Sequence, residues 1–384
     1  MSKAKITVVY INYMPIPLPA ADVMHTMKMC QAYQQIGCDV HLVAPKGNFR
    51  SLDALWEQYG IRNSFKVHLY KDSQRLRRHP VFLRGIFLAK RQKQPTFIHT
   101  RSSAAALYGA LFGISSVYET HRPLASGMEK IYLRLGARLP HFKKIIAVTE
   151  PIQQSYQRFL PAMTEKIIVM NNGVDLEQFE PNDTSSESRA KLNLEERFTV
   201  GYIGSLFVGR GIEIILELAQ RLSHIQFLVV GGTQEDVIYW KSQVEQFPPN
   251  LIIRNAVPNQ ELPTYMLAAD LLLMPYQRQV GVYGSRTANS VDYMNPMKMY
   301  EYMAARRMII ASDLPMIRAV LNDDMAILCT PDSVDAWYEA IQYAFQSEEE
   351  RQKRVQNAYH YVQNHTWQHR VQRILNEIFP QTKA

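Results

Sequence analysis

Lys298 and Glu301 stand three residues apart in the run NPMKMYEYMAARRMIIAS, Asn295 to Ser312. Residues at that spacing project from one face of a helix. Asn295 is a good helix cap and Pro296 suits a first turn, where a missing N–H costs nothing, so a helix is predicted to begin there. The start of a helix carries free N–H groups and the positive end of its dipole, and both attract anions. A phosphate-bearing ligand fits such an end. The Lys298 ammonium would meet the phosphate, and the Glu301 carboxylate can accept two hydroxyl hydrogen bonds from a ribose. Arg306 and Arg307 are expected to close the helix at its negative end, and MIIAS reads as a buried strand. An ordinary α/β crossover with a surface Lys–Glu pair gives the same local pattern, so the motif alone leaves both readings open.

Such residues need a scaffold, and the rest of the chain alternates strand and helix. ITVVYIN, DVHLVAP, VHLY, TFIHT, SVYET and KIIAVT are short apolar strands in the first half, and a helix from Asp22 to Gln35 ends before Gly37. The polar, turn-rich stretch from Asn171 to Arg189 breaks the rhythm and reads as a linker. A second series follows: FTVGYIG, QFLVVGG, LIIRN, LLLMPY, MIIAS and AILC as strands. Helices are predicted at Ile212 to Arg221, Glu235 to Phe247, Asn259 to Ala269 and Pro315 to Leu321, ahead of a helical tail. The fold class is therefore α/β, with two doubly wound, Rossmann-like parallel-sheet domains. Their expected bounds are 1–172 and 173–365, with 366–384 as a C-terminal helix. Ligands collect at the carboxyl ends of such strands, which here include Tyr13 to Asp22, Thr100 to Ser103, Glu119 to Arg122 and Thr149 to Glu150.

A chain of 384 residues is long enough for two cores, and 47% hydrophobic with 20% charged residues is an ordinary globular composition. Three scattered cysteines make neither a disulfide framework nor a metal site, and point to a reducing compartment. No secretory pattern or spanning apolar run is present, so the expected location is cytoplasmic, peripheral at most on a membrane's inner face. The net charge of +8 is uneven. Residues 1–172 hold 24 Lys and Arg against 9 Asp and Glu, a net of +15, and the remainder holds 19 against 26, a net of −7. An anionic partner for the first half is one reading, and a merely solvated basic surface is the other. Ten basic residues between Lys66 and Arg101 face a single acid, Asp72. The stretch GMEKIYLRLGARLPHFKK is expected to be helical, placing Arg134, Arg138, Lys143 and Lys144 beside Ile131, Leu135 and Leu139 in an acceptor or membrane face. The same apolar residues could instead face the core.

The second half resembles the donor domain of GT-B retaining glycosyltransferases, specifically glycosyltransferase family 4. The matching pieces, in order, are NNGVD with Phe179, VGYIGSLFVGRGI from Val200, VPNQELPTYMLAADLLLMPY from Val257, and the run from Asn295 to Pro315. The first half is similar more loosely, through VYETH and IIAVTE, and TWQHRVQRIL resembles the last helix that crosses back to the first domain. The resemblance implies a ligand in a cleft between two domains. Glu301 would bind the nucleotide ribose and Lys298 the diphosphate. The backbone at Val257 would hold the base, and Gly204, Ser205, Arg210, Asn295 and Met297 would complete the donor site. His121 falls where the family often has a histidine near the reacting sugar.

This sequence departs from that pattern in four places, one of them PIPLPAAD, Pro15 to Asp22, where the family has a Gly-rich first loop. Ser205 stands where the family commonly has Arg, Arg210 where it has Lys, and Tyr293 where it often has a first glutamate. The implied activity is transfer of a sugar from a nucleotide-diphosphate sugar, UDP favoured, to an acceptor hydroxyl with retention, in cell-surface glycan, polysaccharide or glycolipid synthesis. His121, Lys298 and Arg210 would be catalytic. No cofactor or metal is expected: His25, His99 and His121 lack metal-ligand spacing, and His25 and His99 read as structural histidines. The segment from Gly281 to Arg286 is either a loop touching the sugar or phosphate or a plain surface loop. Neither a dinucleotide fingerprint, a Walker loop nor a nucleophile elbow occurs. An epimerase of the same fold and a non-catalytic nucleotide-sugar binder remain open; nucleic-acid binding has only the basic charge behind it, and no nucleic-acid partner is expected.

Overall fold

The computed structural model describes residues 5–71, 78–125, 127–180, 183–281 and 289–380. The chain divides into two compact units, one holding residues up to Asn172 together with those from Trp367 on, the other running from Gly173 to Thr366.

Unit 1 is built on seven strands: β1 Thr7–Ile11, β2 Asp39–Pro45, β3 Lys66–Tyr70, β4 Thr96–Thr100, β5 Ser115–Thr120, β6 Phe142–Ala147 and β7 Ile167–Val169. Their order is β3-β2-β1-β4-β5-β6-β7 and every pairing is parallel. All five residues of β1, TVVYI, are buried. Strands covered on both faces must be apolar throughout rather than alternating, which is why they stand out in the sequence. The three-residue β7 is too short for such a signal and was not expected. Helices Ala21–Gln35 and Trp367–Ile378 pack together, whereas Ser103–Leu111 packs between His79–Lys90 and Met128–Gly136.

Unit 2 repeats the plan with β8 Thr199–Ile203, β9 Gln226–Val230, β10 Leu251–Arg254, β11 Leu271–Met274, β12 Met308–Ser312 and β13 Ala326–Cys329. The order is β10-β9-β8-β11-β12-β13, again all parallel. In both units the chain reverses direction across the sheet beside its first strand, between β1 and β4 and between β8 and β11. The carboxyl ends at such a reversal leave a crevice that helices do not fill.

Three predicted helices are shorter than expected. Glu235 to Phe247 becomes Gln234–Lys241, opened by a Thr233–Asp236 capping box. Its buried residues are Val237 and Trp240. Beyond Lys241 the polar run has little to bury, and Pro248 disfavours helix at Phe247. Asn259 to Ala269 starts as a 3₁₀ turn and becomes helical over Leu262–Ala268, and the helix at Pro315 is a single turn, Pro315–Arg318. Among the described residues no helix is long and apolar enough to cross a membrane.

Candidate active site

At the reversal in unit 2, β8 runs into Gly204, and a loop leads to Gly211, where the helix Ile212–Arg221 begins. Gly209 and Gly211 have φ of +82° and +77°, which glycine adopts without steric cost. A Cβ on them would lie 1.8 Å from the Gln279 carbonyl oxygen and 1.9 Å from that of Pro275. Glycine therefore lets this loop lie directly against the segment that leaves β11. Arg210, between the two, puts its guanidinium 4.6 Å from the Tyr276 ring centre and donates from Nη2 to the Gly281 carbonyl at 3.4 Å. Its Nε is buried and has no hydrogen-bond partner among the described residues.

Lys298 comes to the same place from the helix Met297–Ala304. Its Nζ lies 3.9 Å from the Tyr202 ring centre and 5.4 Å from that of Tyr276. It also lies so close over Gly204 that a Cβ there would be 2.1 Å from it. Part of the residue reaches solvent, but the ammonium itself is buried and has no hydrogen-bond partner among the described residues. Burial, and then the charge of Arg210, push its pKa well below the ordinary lysine value, with Glu301 opposing. The surface Lys–Glu pair is thus ruled out. Aromatic faces attract cations only weakly compared with the cost of desolvating an ammonium, so this group is short of an anion. The walls around it are fixed: the Tyr202 hydroxyl donates to the Ser205 carbonyl at 2.7 Å, and the Tyr302 hydroxyl accepts from the Ile203 N–H at 2.9 Å.

Glu301 is half-buried on the Lys298 helix. Two details of that helix correct the sequence reading. Pro296, not Asn295, is the capping residue, and no side-chain cap bond forms; buried Asn295 instead hydrogen-bonds the Tyr300 hydroxyl through Nδ2 at 3.1 Å. The helix ends at Ala304, before the arginines. Arg306 has φ of +53° and stacks on Tyr359, while Arg307 donates to the Ala305 and Arg306 carbonyls and to those of Leu267 and Ala269 at the end of another helix. Met297 is half-buried in the first turn, and half-buried Val257 follows β10 and packs on the core. Only Gly281 of the Gly281–Arg286 loop lies within the described residues.

In unit 1, β5 carries Glu119, fully buried, and delivers His121 just past its carboxyl end. His121 Nε2 is 2.7 Å from Glu119 Oε1, and the side chain is 17% exposed. The carboxylate is shared. Arg370 Nη2 reaches Oε1 at 2.9 Å, His99 Nε2 reaches Oε2 at 2.8 Å, and His25 Nε2 stands 3.0 Å from Oε1, outside hydrogen-bond geometry. Burial is the largest single effect and favours the neutral acid, but Arg370 together with His25 and His121 outweighs it and holds Glu119 well below the usual carboxylate range. Burial and then Arg101 push His121 down to about 4, against Glu119. The imidazole is therefore uncharged at neutral pH.

The structural reading of His99 holds, since its Nδ1 also meets the Tyr33 hydroxyl at 3.0 Å. His25 is less complete: neither ring nitrogen has a hydrogen bond among the described residues. Although His25 and His121 lack metal-ligand spacing in the sequence, the fold brings ligand atoms of His25, Glu119 and His121 within 4.8 Å of one another. An ion placed there would compete with the Arg370 guanidinium for the same carboxylate oxygen, so the cluster reads as an anion ringed by donors.

Sequence reasoning placed Glu119 at a strand end without giving it a role, and passed over Arg370. A carboxylate inside the strand SSVYET was one available signal. The other was an Arg in register with the buried stripe of its helix, Trp367, Val371, Ile374, Leu375 and Ile378.

The basic stretch is only partly helical. The helix spans Met128–Gly136, so Arg138 and Leu139 lie in the turn after it, and Lys143 and Lys144 belong to β6. Lys144 is committed to Glu377 at 2.6 Å. Ile131 and Leu135 are 49% and 47% exposed and do not face the core. Arg134 and Arg138 are exposed as well. Arg75, Arg77 and Asp72 lie outside the described residues.

Two doubly wound units with crevices at their sheet reversals define the GT-B class. The family model Glycosyltransferase Family 4 matches residues 23–178, and Glycosyl transferases group 1 matches residues 184–361. The chain belongs to the family 4 glycosyltransferases. It is 27% identical over 173 residues to the putative teichuronic acid biosynthesis glycosyltransferase TuaH of Bacillus subtilis, covering 44% of this chain and 40% of that protein. It is 24% identical over 166 residues to the alpha-galactosylglucosyldiacylglycerol synthase of Streptococcus pneumoniae, covering 41% of each. The chain spans about half the length of the curated relatives it matches. Its fold is similar to that of Anabaena HepE in complex with UDP and glucose, with a TM-score of 0.70 at 17% identity over 97% of this chain and 100% of that one. A glycosyltransferase from Rickettsia africae gives 0.75 at 15% identity, over 98% and 100%.

Two outcomes are expected. Lys298→Ala and Glu301→Ala should each weaken UDP binding by about 1.5 to 3 kcal/mol, the worth of a charge-assisted contact, with thermal unfolding still cooperative. Isothermal titration of both variants checks this, and unchanged affinity in both removes the nucleotide from this helix.

The second concerns pH. A diphosphate beside Lys298 would raise a pKa that is depressed in the free protein. Affinity should be full below the free-state pKa and fall as pH rises toward the bound-state value, with net proton uptake on binding. Calorimetry in buffers of different ionisation enthalpy reads that uptake; proton release would show that Lys298 is not the group being neutralised.

Proposed function

We propose that this protein transfers a sugar from a nucleotide-diphosphate sugar, a UDP-sugar, to a hydroxyl of a glycan or lipid-linked acceptor, with retention at the anomeric carbon. The observation that carries this reading is the buried Lys298 ammonium, without a hydrogen-bond partner among the described residues, over the Tyr202 ring and accompanied by Arg210. The names of the relatives, in teichuronic acid and glycolipid synthesis, support a role in making cell-surface polysaccharide or glycolipid. HepE, crystallised with UDP-glucose, supports uracil as the base.

Each residue then has a role. Lys298, Arg210 and the first N–H groups of the Lys298 helix stabilise the diphosphate, so the reaction needs no metal. Glu301 accepts the ribose hydroxyls, and the backbone at Val257 holds the base. Ser205 adds only a hydroxyl where an arginine would add charge, which leaves more of the diphosphate to Lys298. The bond from the anomeric carbon to the phosphate oxygen breaks as the bond to the acceptor oxygen forms on the same face. The acceptor proton passes to the departing phosphate oxygen, through an oxocarbenium-like state. His121 hydrogen-bonds a hydroxyl of the reacting sugar.

The acceptor is presented at an anionic membrane, on which unit 1 docks. Helices His79–Lys90, Ser103–Leu111 and Met128–Gly136 lie side by side, and around them Phe87, Leu111, Phe112, Met128, Ile131 and Leu135 are each at least 40% exposed. Arg84, Lys90, Arg91, Arg134 and Arg138 are exposed on or beside the same helices. Glu129, the one acid in these three helices, is buried against Tyr118, Tyr156 and Arg122. Apolar side chains amid cations suit the headgroup region, where each basic group near an anionic surface is worth about 1 kcal/mol.

His121→Ala should reduce sugar transfer far more than it reduces nucleotide affinity, measured as kcat with a UDP-sugar and acceptor alongside Kd for UDP. Equal losses in both would take His121 off the reaction path. A donor that turns over without an acceptor would favour an epimerase.

Flotation with vesicles tests the docking. Retention on phosphatidylglycerol vesicles but not on phosphatidylcholine, weakened by salt and by combined Arg134→Glu, Arg138→Glu and Lys143→Glu changes, is expected. Equal behaviour on both vesicle types would mean an acceptor taken from solution.

A further inference from the structure

Beneath His121, a carboxylate and a guanidinium hold the imidazole in one tautomer. We propose that Glu119 and Arg370 are positioning residues: Arg370 anchors the Glu119 carboxylate, and Glu119 fixes His121 as the Nε2–H tautomer, so that Nδ1 is the hydrogen-bond acceptor offered to a sugar hydroxyl. The inference rests on His121 meeting the reacting sugar, as proposed above.

Donors and acceptors around Glu119 fix where the His121 proton sits. An ionised carboxylate only accepts hydrogen bonds, so a neutral imidazole touching it must donate through the touching nitrogen. Glu119 is fully buried and its Oε1 lies 2.7 Å from His121 Nε2. The proton must therefore sit on Nε2, and Nδ1 carries the lone pair. His99 obeys the same logic. Its Nε2 donates to Glu119 Oε2 at 2.8 Å, which leaves Nδ1 to accept from the Tyr33 hydroxyl at 3.0 Å.

Arg370 keeps the carboxylate charged and in place. From the helix Trp367–Ile378 its Nη2 reaches Oε1 at 2.9 Å and its Nη1 reaches Oε2 at 3.3 Å. The two bonds form a fork that defines the orientation of the carboxylate plane. The same guanidinium donates from Nε to the Asn171 carbonyl at 2.8 Å and from Nη2 to that of Met170 at 3.1 Å. Trp367, one turn earlier, packs edge-on against His25, which in turn packs edge-on against His121. Residues near the two places where the chain leaves unit 1, after Asn172 and before Trp367, thus converge on the support of one imidazole. A residue of this kind acts through another, so its loss should lower kcat while sparing nucleotide binding.

The test is nitrogen NMR of the full-length protein with ¹⁵N-labelled histidine at neutral pH. His121 is assigned by the signals missing in His121→Gln. The expected spectrum has a protonated Nε2 and an unprotonated Nδ1 for His121. In Glu119→Gln the fixed preference should be lost and kcat should fall on the order of 10²-fold, with Kd for UDP unchanged. Arg370→Lys, which keeps a cation, should retain the tautomer. A wild-type His121 protonated on Nδ1, or on both nitrogens, overturns the proposal, and so does a Glu119→Gln protein that folds with unchanged kcat. If Glu119→Gln does not fold, the wild-type and Arg370→Lys spectra decide. Absence of any sugar transfer by the wild-type chain would defeat the proposed function, while the spectrum would still read the tautomer.

Discussion

Taking a charge out of water costs several kcal/mol unless something answers it, and both units hold a charge in that position. In unit 1 the answer is complete: buried Glu119 has Arg370, His99 and His121 bonded to it, with His25 alongside. In unit 2 it is not. The Lys298 ammonium is buried against aromatic faces with another cation nearby, and Glu301 opposes that cation without restoring the ordinary lysine pKa. A group in that state is a poor choice for stability. It becomes intelligible if the ligand is the diphosphate proposed above, whose charge favours the protonated lysine and realises the electrostatic gain on binding.

The same contrast sorts the surrounding residues. Around Lys298 the supports are rigid and neutral: Tyr202 tied to the Ser205 carbonyl, Tyr302 tied to Ile203, and glycines that bring the Arg210 loop against the end of β11. Nothing in that set cancels the positive charge. Around Glu119 the supports are three donors, Arg370, His99 and His121, from separate parts of the unit, so the carboxylate is fixed and His121 inherits its orientation.

Much of this was legible in the sequence, and the residues show why. Every buried parallel strand of more than three residues announced itself as an apolar run, since both faces are covered. The Lys298–Glu301 spacing gave the helix face. What it did not give was depth: the same spacing fits a surface pair, and only the fold places Lys298 over Gly204. The helix start came out one residue late because Asn295 spends its side chain on Tyr300 rather than on the helix N-terminus. Lys143 and Lys144 were assigned to a helix because basic residues carry little conformational preference of their own, and the β6 run that claims them is apolar only from Ile145 on. The pairing of Arg370 with Glu119 was missed because it joins positions 251 residues apart, which no local pattern records.

The account stands or falls on what Lys298 is for. A crystal structure of the chain with UDP bound tests it most directly. Diphosphate oxygens within hydrogen-bond distance of Lys298 Nζ, with the ribose hydroxyls on Glu301, are what the account predicts. A diphosphate seated elsewhere, with the Lys298 ammonium still against Tyr202 and without an anion, would contradict it.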